Sequence, residues 1–347
     1  MGLLSEAAKY RVVSLVGMAK NTGKTTALSA LIDEAHGAGL RLGISSTGRD
    51  GETKDLVTGT AKPRVFLPEG ALATVPAGLY GFCDAGLEIV KATGLHGPLG
   101  QILLCRAAEA GYAQIAGPVS TAGQTEICAE MRGLGADMVL IDGAIDRRSV
   151  AAPYASDAVI LATGAALSGR ISEVAAETAH VAEIYGLPEL GDLGDEGIAE
   201  AIARHSGGKR IACLGAGGDR ALDRGLDLRT GLGAGGLIGA EIAKGAGYVY
   251  LPGALTGGLL EGIEPGLLKG AAFIVDDPTK IFVERAVWRR LRGRGLKVRV
   301  IAGVKIAAIT VNPFSPAGFS LDSTELVRAV GAAVGGIPVM DVRRAGA

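Results

Sequence analysis

A ten-residue stretch near the amino terminus, Gly17–Thr26, constrains this chain more than any other feature. It reads Gly-Met-Ala-Lys-Asn-Thr-Gly-Lys-Thr-Thr and follows a mostly apolar run, Val12–Val16. After it, apolar residues recur at three- and four-residue spacing from Ala27 to Ala35, which predicts an amphipathic helix. The stretch is therefore predicted to be a strand-to-helix loop, which is the context in which a glycine–lysine loop surrounds phosphate.

The chemistry of such a loop depends on backbone N–H groups and on the partial positive charge of a helix N-terminus. Gly23 would permit close approach of the backbone, Lys24 would reach β- and γ-phosphate oxygens, and the Thr25 hydroxyl would bind Mg²⁺. The alternative is an ordinary glycine-rich turn with an incidental lysine. The residues predicted to contact a nucleotide are Lys20, Asn21, Thr22, Gly23, Lys24, Thr25 and Thr26.

The loop resembles that of P-loop nucleoside triphosphatases, in particular the class that contains dethiobiotin synthetase, the nitrogenase iron protein and the molybdopterin-guanine dinucleotide accessory protein. It departs from the usual pattern because five residues, not four, separate Gly17 from Gly23, and because Met18 holds the usual glycine position. Lys20 lies one position later than the second lysine of the iron-protein branch. The resemblance implies ATP and Mg²⁺ as cofactors, with GTP as the alternative nucleotide.

Two aspartates are predicted to complete the site as Mg²⁺ ligands and, with Lys24, as catalytic residues. Asp142 directly follows the apolar run Met138–Ile141, and strand ends are where such loops find a carboxylate. Asp50 follows the strand predicted at 40–46, and in the resembled class this place often carries an aspartate that contacts Mg²⁺ or orients water. Either residue could instead be a turn aspartate.

Three further features of the sequence allow more than one interpretation. Glu52 and Asp146 are weaker candidates for the carboxylate that binds Mg²⁺. The segment Gly117–Glu126 is a turn that either senses the γ-phosphate, binds a second substrate or merely caps a helix. Gly231–Gly236 has GxGxxG spacing, but the charged residues before it do not form a strand pattern, which favours a glycine loop over a dinucleotide site.

The stretches Leu15–Thr26 and Leu140–Ser149 look similar to subunits of reactivating factors for adenosylcobalamin-dependent lysine aminomutases. This resemblance implies an accessory ATPase that releases damaged cobalamin from a partner enzyme. Two other functions fit the same loop. The first is an ATP-dependent small-molecule kinase or ligase resembling dethiobiotin synthetase, and the second is a nucleotide sensor without turnover.

The composition of the chain limits the classes of partner that it is expected to bind. The net charge of −1 gives no general attraction to nucleic acid or membrane, and aromatic residues at 4% do not suit a single-strand-binding platform. The four cysteines form no CxxC pair, so we expect reduced thiols and a cytoplasmic protein. A cluster that bridges two subunits, as in the nitrogenase iron protein, would need a matching pair of cysteines on each subunit, and Cys105 and Cys128 are a weak candidate for that pair. We expect a homodimer.

Apolar strand-like runs alternate with helical patterns, which predicts an α/β fold with a mostly parallel sheet and helices on both faces. We expect a nucleotide-binding domain over 1–190. Residues 191–347 would form a second α/β domain or a sheet extension that binds the partner or substrate. Asp277 and Pro278 predict the start of a helix that runs to Leu291, and Asp322 with Glu325 predicts a capping box for the last helix.

Overall fold

The computed structural model of the protein describes residues 2–47, 64–97, 99–118, 120–143, 156–193, 196–206, 210–215, 224–226 and 233–343. The chain divides into two units, one made of Met1–Ala179 with Lys305–Ala347 and the other of His180–Val304. The helices are α1 (Leu3–Ala7), α2 (Lys24–Gly37), α3 (Thr121–Gly133), α4 (Ile171–Tyr185), α5 (Glu196–Ser206), α6 (Ala234–Ala243), α7 (Gly257–Glu261), α8 (Arg285–Gly293) and α9 (Ser323–Val334).

The strands of the first unit are β1 (Val12–Gly17), β2 (Leu42–Ser46), β3 (Val65–Leu67), β4 (Leu72–Pro76), β5 (Gly86–Gly97), β6 (Gly100–Glu109), β7 (Gly111–Ala113), β8 (Met138–Asp142), β9 (Ala158–Gly164), β17 (Ile306–Asn312) and β18 (Val339–Met340). Those of the second unit are β10 (Ile211–Gly215), β11 (Arg224–Leu226), β12 (Ala246–Leu251), β13 (Leu255–Thr256), β14 (Ala272–Val275), β15 (Ile281–Phe282) and β16 (Lys297–Val300).

The first unit is built on a nine-stranded sheet with the order β18-β17-β9-β1-β8-β2-β4-β6-β5. The pairings from β18 through to β4 are parallel, whereas β6 runs antiparallel to both β4 and β5. The prediction of an α/β fold with a mostly parallel sheet is confirmed at this level. The antiparallel β5–β6 hairpin was not predicted, because the exposed residues of β5 lack a regular alternation.

The core of the first unit forms where α2 lies against the centre of this sheet. All six residues of β1 are buried, as expected of a strand covered on both faces. The apolar stripe of α2 enters the same core through Leu28, Leu31 and Ile32, which are 0–1% exposed. Burial of three such side chains contributes on the order of 5–8 kcal/mol before entropic costs, which fixes the start of α2 beside β1.

The second unit has a five-stranded sheet of its own, with the order β11-β10-β12-β14-β16. Its β12, β14 and β16 are parallel, and β10 is antiparallel to both of its neighbours. One core cluster of this unit packs Ile198 and Ile202 of α5 against Leu214, Tyr250 and Ile274 of the sheet. This unit therefore has a hydrophobic core independent of the first.

The division into units differs from the sequence-based boundary at 190 in two respects. The second unit begins at His180, and the segment from Lys305 onwards belongs to the first unit. The second difference arises because β17 pairs with β9 from Ile306 to Asn312, so the chain returns to the first sheet. The apolar pattern of β17 indicates a buried strand but carries no information about which sheet it joins.

The helix predicted from Asp277 to Leu291 is wrong in its first half. Asp277 does cap a turn, since its Oδ1 accepts from Thr279 N at 2.8 Å, but that turn is a short 3₁₀ segment, Pro278–Lys280. Strand β15 follows, and α8 begins only at Arg285. The capping predicted for the last helix is confirmed on its Asp322 side, since Asp322 Oδ1 accepts from Glu325 N at 2.7 Å.

Candidate functional site

Several parallel strands end at one edge of the nine-stranded sheet. Strand β1 ends at Gly17, β8 at Asp142, β2 at Ser46 and β17 at Asn312. The register places Asp142 opposite Leu15 on one side and opposite Ser46 on the other. Since all of these strands run in the same direction, their carboxyl ends lie at the same edge, which we call the carboxyl edge.

The chain leaves the two central strands in opposite directions along the sheet. From β1 it passes through α2 to β2, on the far side of β8, whereas from β8 it goes to β9, on the far side of β1. A reversal of this kind between neighbouring parallel strands opens a crevice outside their carboxyl ends, and ligands of open α/β sheets bind in such crevices. The topology therefore makes the space beyond Gly17 and Asp142 the candidate ligand site.

The loop that joins β1 to α2 contains two residues in the left-handed region. Asn21 has φ 63°, which asparagine tolerates better than most residues, and Gly23 has φ 86°. Gly23 is the N-cap of α2 and provides no side-chain cap for the first turn. The loop is anchored to the neighbouring strand by Met18 N, which donates to Ala162 O at 2.9 Å, and internally by Thr22 Oγ1, which donates to Ala19 O at 2.9 Å.

Lys24, the first residue of α2, points towards the end of β8. Its Nζ lies 2.7 Å from Asp142 Oδ1 and also donates to the carbonyl oxygen of Gly143. The side chains of Lys24 and Asp142 are 21% and 24% exposed, so solvent screens the pair only in part. The Oδ1 atom of Asp142 is itself buried and makes no well-directed hydrogen bond, which leaves the ion pair with Lys24 as its partner in the described part of the chain.

The backbone around Asp142 ties three strands together. Its carbonyl oxygen accepts from Thr47 N and from Ser46 Oγ, both at 3.1 Å, so the end of β2 is attached to the end of β8. On the other side, Gly143 N donates to Leu15 O at 3.0 Å, and a Cβ at Gly143 would lie 2.9 Å from that oxygen. These hydrogen bonds therefore hold the backbone of Asp142 in a fixed position at the carboxyl edge.

Asn312, at the end of β17, is the residue that sequence reasoning missed. Its Nδ2 donates to Asn21 O at 2.9 Å, and its Oδ1 accepts from Phe314 N at 3.2 Å. A Cβ added at Gly23 would lie 2.9 Å from Asn312 Cβ, so the two residues are in close contact. The signal was present, because Asn312 follows a buried apolar strand and precedes Pro313, as Asp142 follows one and precedes a glycine.

A buried polar chain lies beside the same edge. Thr74 Oγ1 donates to Ser45 Oγ at 3.0 Å, and Ser45 Oγ donates to Gln124 Oε1 at 3.3 Å. Gln124 is 1% exposed, and its Nε2 has no hydrogen-bond partner among the described residues. In the segment 117–126, the helix-cap interpretation holds for Ser120, whose Oγ accepts from Gly123 N at 3.1 Å at the start of α3.

The other predicted site residues are distributed as follows. Lys20 and Asn21 are exposed, Thr22 is buried, and Thr25 and Thr26 are half-buried in the first turn of α2. Asp50, Glu52 and Asp146 lie outside the described residues.

The cysteines offer no metal centre in the described ranges. No group of three or more His, Cys, Asp or Glu side chains is close enough to bind a metal ion there. Burial raises the pKa of Cys105 to about 11 and that of Cys128 to about 12. Thiols held protonated in this way are poor metal ligands, because the thiolate is the binding form. The structure thus gives no support to a cluster on these two residues.

No protein-family model matches the chain, no curated protein matches its sequence, and no solved structure matches its fold. Among the described helices, none is both long enough and apolar enough to cross a membrane.

Proposed function

We propose that this protein is a Mg²⁺-dependent nucleoside triphosphatase that uses ATP and acts as an accessory or reactivating factor for a partner enzyme. The observation that carries the proposal is the position of Lys24 at the N-terminus of a 14-residue helix, 2.7 Å from Asp142 at the carboxyl edge. An ammonium group, a helix N-terminus and a carboxylate meet there at a topological switch point. This combination suits a triphosphate and its counterion.

Lys24 and the first N–H groups of α2 would provide the positive charge of the proposed site. On nucleotide binding, the Lys24 ammonium would leave Asp142 for the β- and γ-phosphate oxygens, where it neutralises the charge that builds up as water attacks the γ-phosphorus and the bond to ADP breaks. The N–H groups at the start of α2 would bind the same oxygens, because Gly23 provides no competing side-chain cap.

The carboxylate would take the role of counterion ligand. Asp142 Oδ1 is buried, lacks a well-directed hydrogen bond and is a hard oxygen donor, and Mg²⁺ prefers such oxygens. When bound, Mg²⁺ would supply positive charge that polarises the phosphate oxygens. Thr25, in the first turn of α2, is the second proposed ligand, and Asp50 remains a predicted third.

A small-molecule kinase or ligase is the second candidate function, and one observation favours it. The buried chain of Thr74, Ser45 and Gln124 adjoins the strand end that holds Asp142, and an unpartnered amide there is suited to a polar acceptor molecule. Transfer of ³²P from γ-labelled ATP to a metabolite would favour this function. Release of all label as inorganic phosphate would favour the triphosphatase.

The Asp142→Asn variant tests the assignment of the carboxylate. We expect Mg²⁺-dependent phosphate release to fall by about 10- to 100-fold, with ATP binding largely kept, because the amide is a much weaker ligand for a hard cation. Asp137→Asn is the matched control, since that aspartate pairs with Arg41 at the opposite end of β8. Phosphate release that is equal in all three proteins would contradict the assignment.

The accessory role needs its own test. The protein would be incubated with lysate and either a nonhydrolysable ATP analogue or ADP, and then recovered. A specific protein retained in one nucleotide state and released in the other is the expected result. A wild-type protein that hydrolyses ATP rapidly and retains no protein in either state would contradict it.

A further inference from the structure

We propose that Asn312 is a positioning residue for the nucleotide site, which holds the phosphate-binding loop in its left-handed turn from a strand two places away in the sheet. The inference rests on the proposed function of the 17–26 loop. It begins from the hydrogen bond of 2.9 Å between Asn312 Nδ2 and Asn21 O, which joins residues 291 positions apart in the chain.

The orientation of the Asn312 amide is fixed by its two partners. A carbonyl oxygen on one side requires a donor, and the N–H of Phe314 on the other side requires an acceptor, so Nδ2 must face Asn21 and Oδ1 must face Phe314. A rotated amide would break both hydrogen bonds. The side chain therefore has one favourable arrangement, and that arrangement fixes the carbonyl of Asn21.

The contact falls on the part of the loop that is conformationally costly. Asn21 has φ 63°, a value that costs a non-glycine residue about 1 kcal/mol, and Gly23 has φ 86°. Asn312 contacts both positions. Its Nδ2 donates to the carbonyl oxygen of Asn21, and its Cβ lies so close to Gly23 that a Cβ at that position would be 2.9 Å away. A constraint at these two residues sets the direction of the following N–H groups, which are the ones proposed to bind phosphate.

Asn312 is itself held rigidly. It is the last residue of β17, opposite Gly164 of β9, and a Cβ at Gly164 would come within 2.0 Å of the Asn312 carbonyl oxygen. The amide is half-buried, so water can replace its hydrogen bond in a variant without a large loss of folding stability. Loss of the amide should therefore change the loop more than the fold.

The test compares Asn312→Ala with Thr310→Val in the full-length protein. Thr310 lies two residues earlier on the same strand, is 2% exposed, and has a hydroxyl without a hydrogen-bond partner among the described residues. Its replacement by valine keeps shape and leaves the bond to Asn21 intact. The dissociation constants of MgATP, MgGTP and inorganic tripolyphosphate would be measured by calorimetry, with the melting temperature of each variant.

We expect Asn312→Ala to weaken all three ligands by the same factor, roughly twofold to tenfold, with the melting temperature within about 3 °C of wild type. Thr310→Val should leave the dissociation constants unchanged. A loss confined to ATP would overturn the proposal, because it would make Asn312 a base contact. Unchanged affinity for all three ligands would overturn it as well.

A second variant keeps the proposal testable if the alanine protein does not fold. In Asn312→Ser the hydroxyl can accept from Phe314 N but is too short to reach Asn21 O, so it should show the same uniform loss. Wild-type protein that binds none of the three ligands would refute the proposed function. Wild-type binding that is unaltered by either substitution would refute only the role of Asn312.

Discussion

Two helices of this protein begin with the same backbone conformation, but the residues that surround their first turns differ. Helices α2 and α6 both follow glycine-rich segments, and both have an N-cap glycine in the left-handed region, Gly23 at φ 86° and Gly233 at φ 81°. Neither glycine provides a side-chain cap. The next residue is Lys24 in the first case and Ala234 in the second.

The residues that surround the two turns differ. Gly23 packs against Asn312 and precedes a lysine that is paired with a carboxylate. In the second unit, Gly235 lies against the backbone of α7, where a Cβ would come within 2.6 Å of the Gly262 carbonyl carbon. Glycine spacing alone therefore does not separate the turn that we propose binds an anion from a turn that permits close helix packing. The two turns differ in the charged residue at the helix start and in the polar side chains at the neighbouring strand ends.

Among the glycine and cysteine substitutions, the largest effect is expected at the two N-cap glycines. Gly23→Ala and Gly233→Ala both force alanine into a left-handed conformation, which costs about 1–2 kcal/mol of folding stability in each case. Among the described residues, only the first also meets another side chain, Asn312 Cβ at 2.9 Å, since none of them has an atom within 4 Å of a Cβ at Gly233. We expect MgATP affinity to fall at least about tenfold in Gly23→Ala.

The control is the second substitution, which should lower the free energy of unfolding by about 1–2 kcal/mol through its backbone conformation alone. The dissociation constant of MgATP should stay at the wild-type value in this variant. Calorimetric binding and urea unfolding on both variants measure the two quantities. A similar loss of affinity in both variants would show that the effect is general destabilisation and not local to the 17–26 loop.

An intermediate effect is expected within α6. Gly235→Ala should lower the free energy of unfolding by about 1–3 kcal/mol, because its Cβ would meet the backbone of Gly262 and Leu259 and push α7 away. The adjacent Gly236→Ala should raise the free energy of unfolding by up to about 1 kcal/mol, because a Cβ there meets no described atom within 4 Å and alanine favours the helix. Urea denaturation would show whether the signs are opposite, and equal signs would contradict the packing role.

The smallest effect involves the buried thiols of the two units. Burial raises the pKa of Cys128 in α3 and of Cys213 in β10 to about 12, so at pH 8 the thiolate is about a thousandfold rarer than for a thiol with a pKa of 9.0. We expect both to react with a disulfide reagent only after unfolding, and the half-buried Cys83 to react first. Rapid modification of Cys128 or Cys213 in native protein would contradict this.

These thiols also give stability a pH dependence with a definite sign. Because the folded-state pKa is raised, the contribution is fully present below about pH 9 and is lost as the pH rises towards about 12. The free energy of unfolding attributable to them should therefore fall over that interval. Cys213→Ala should show a smaller fall than wild type between pH 8 and pH 10.

The sequence predicted the parts of this fold that depend on local pattern. Strand β8 with Asp142 at its end follows from an apolar run, helix α2 follows from helical spacing between Ala27 and Ala35, and both are confirmed. The meeting of Lys24 with Asp142 also followed, because parallel strands share a carboxyl edge. Their roles in nucleotide chemistry remain predictions.

The parts that could not be predicted depend on long-range pairing. Nothing local to β17 indicates that it lies beside β9, and without that pairing Asn312 cannot be placed next to Asn21. The late start of α8 has a different cause. Asp277 and Pro278 are good helix-start residues, but Ile281 pairs with Leu255 in a short parallel bridge that ends the turn.

The binding of MgATP to Lys24→Ala tests the central claim most directly. The matched control is Lys244→Ala at the end of α6, whose lysine pairs with Glu241, three residues earlier, at 2.7 Å. We predict that equilibrium dialysis will show binding to wild type and to Lys244→Ala, and a loss of at least about 100-fold in Lys24→Ala, because a lysine on phosphate oxygens contributes charge-assisted hydrogen bonds. Wild-type affinity in folded Lys24→Ala would contradict the account.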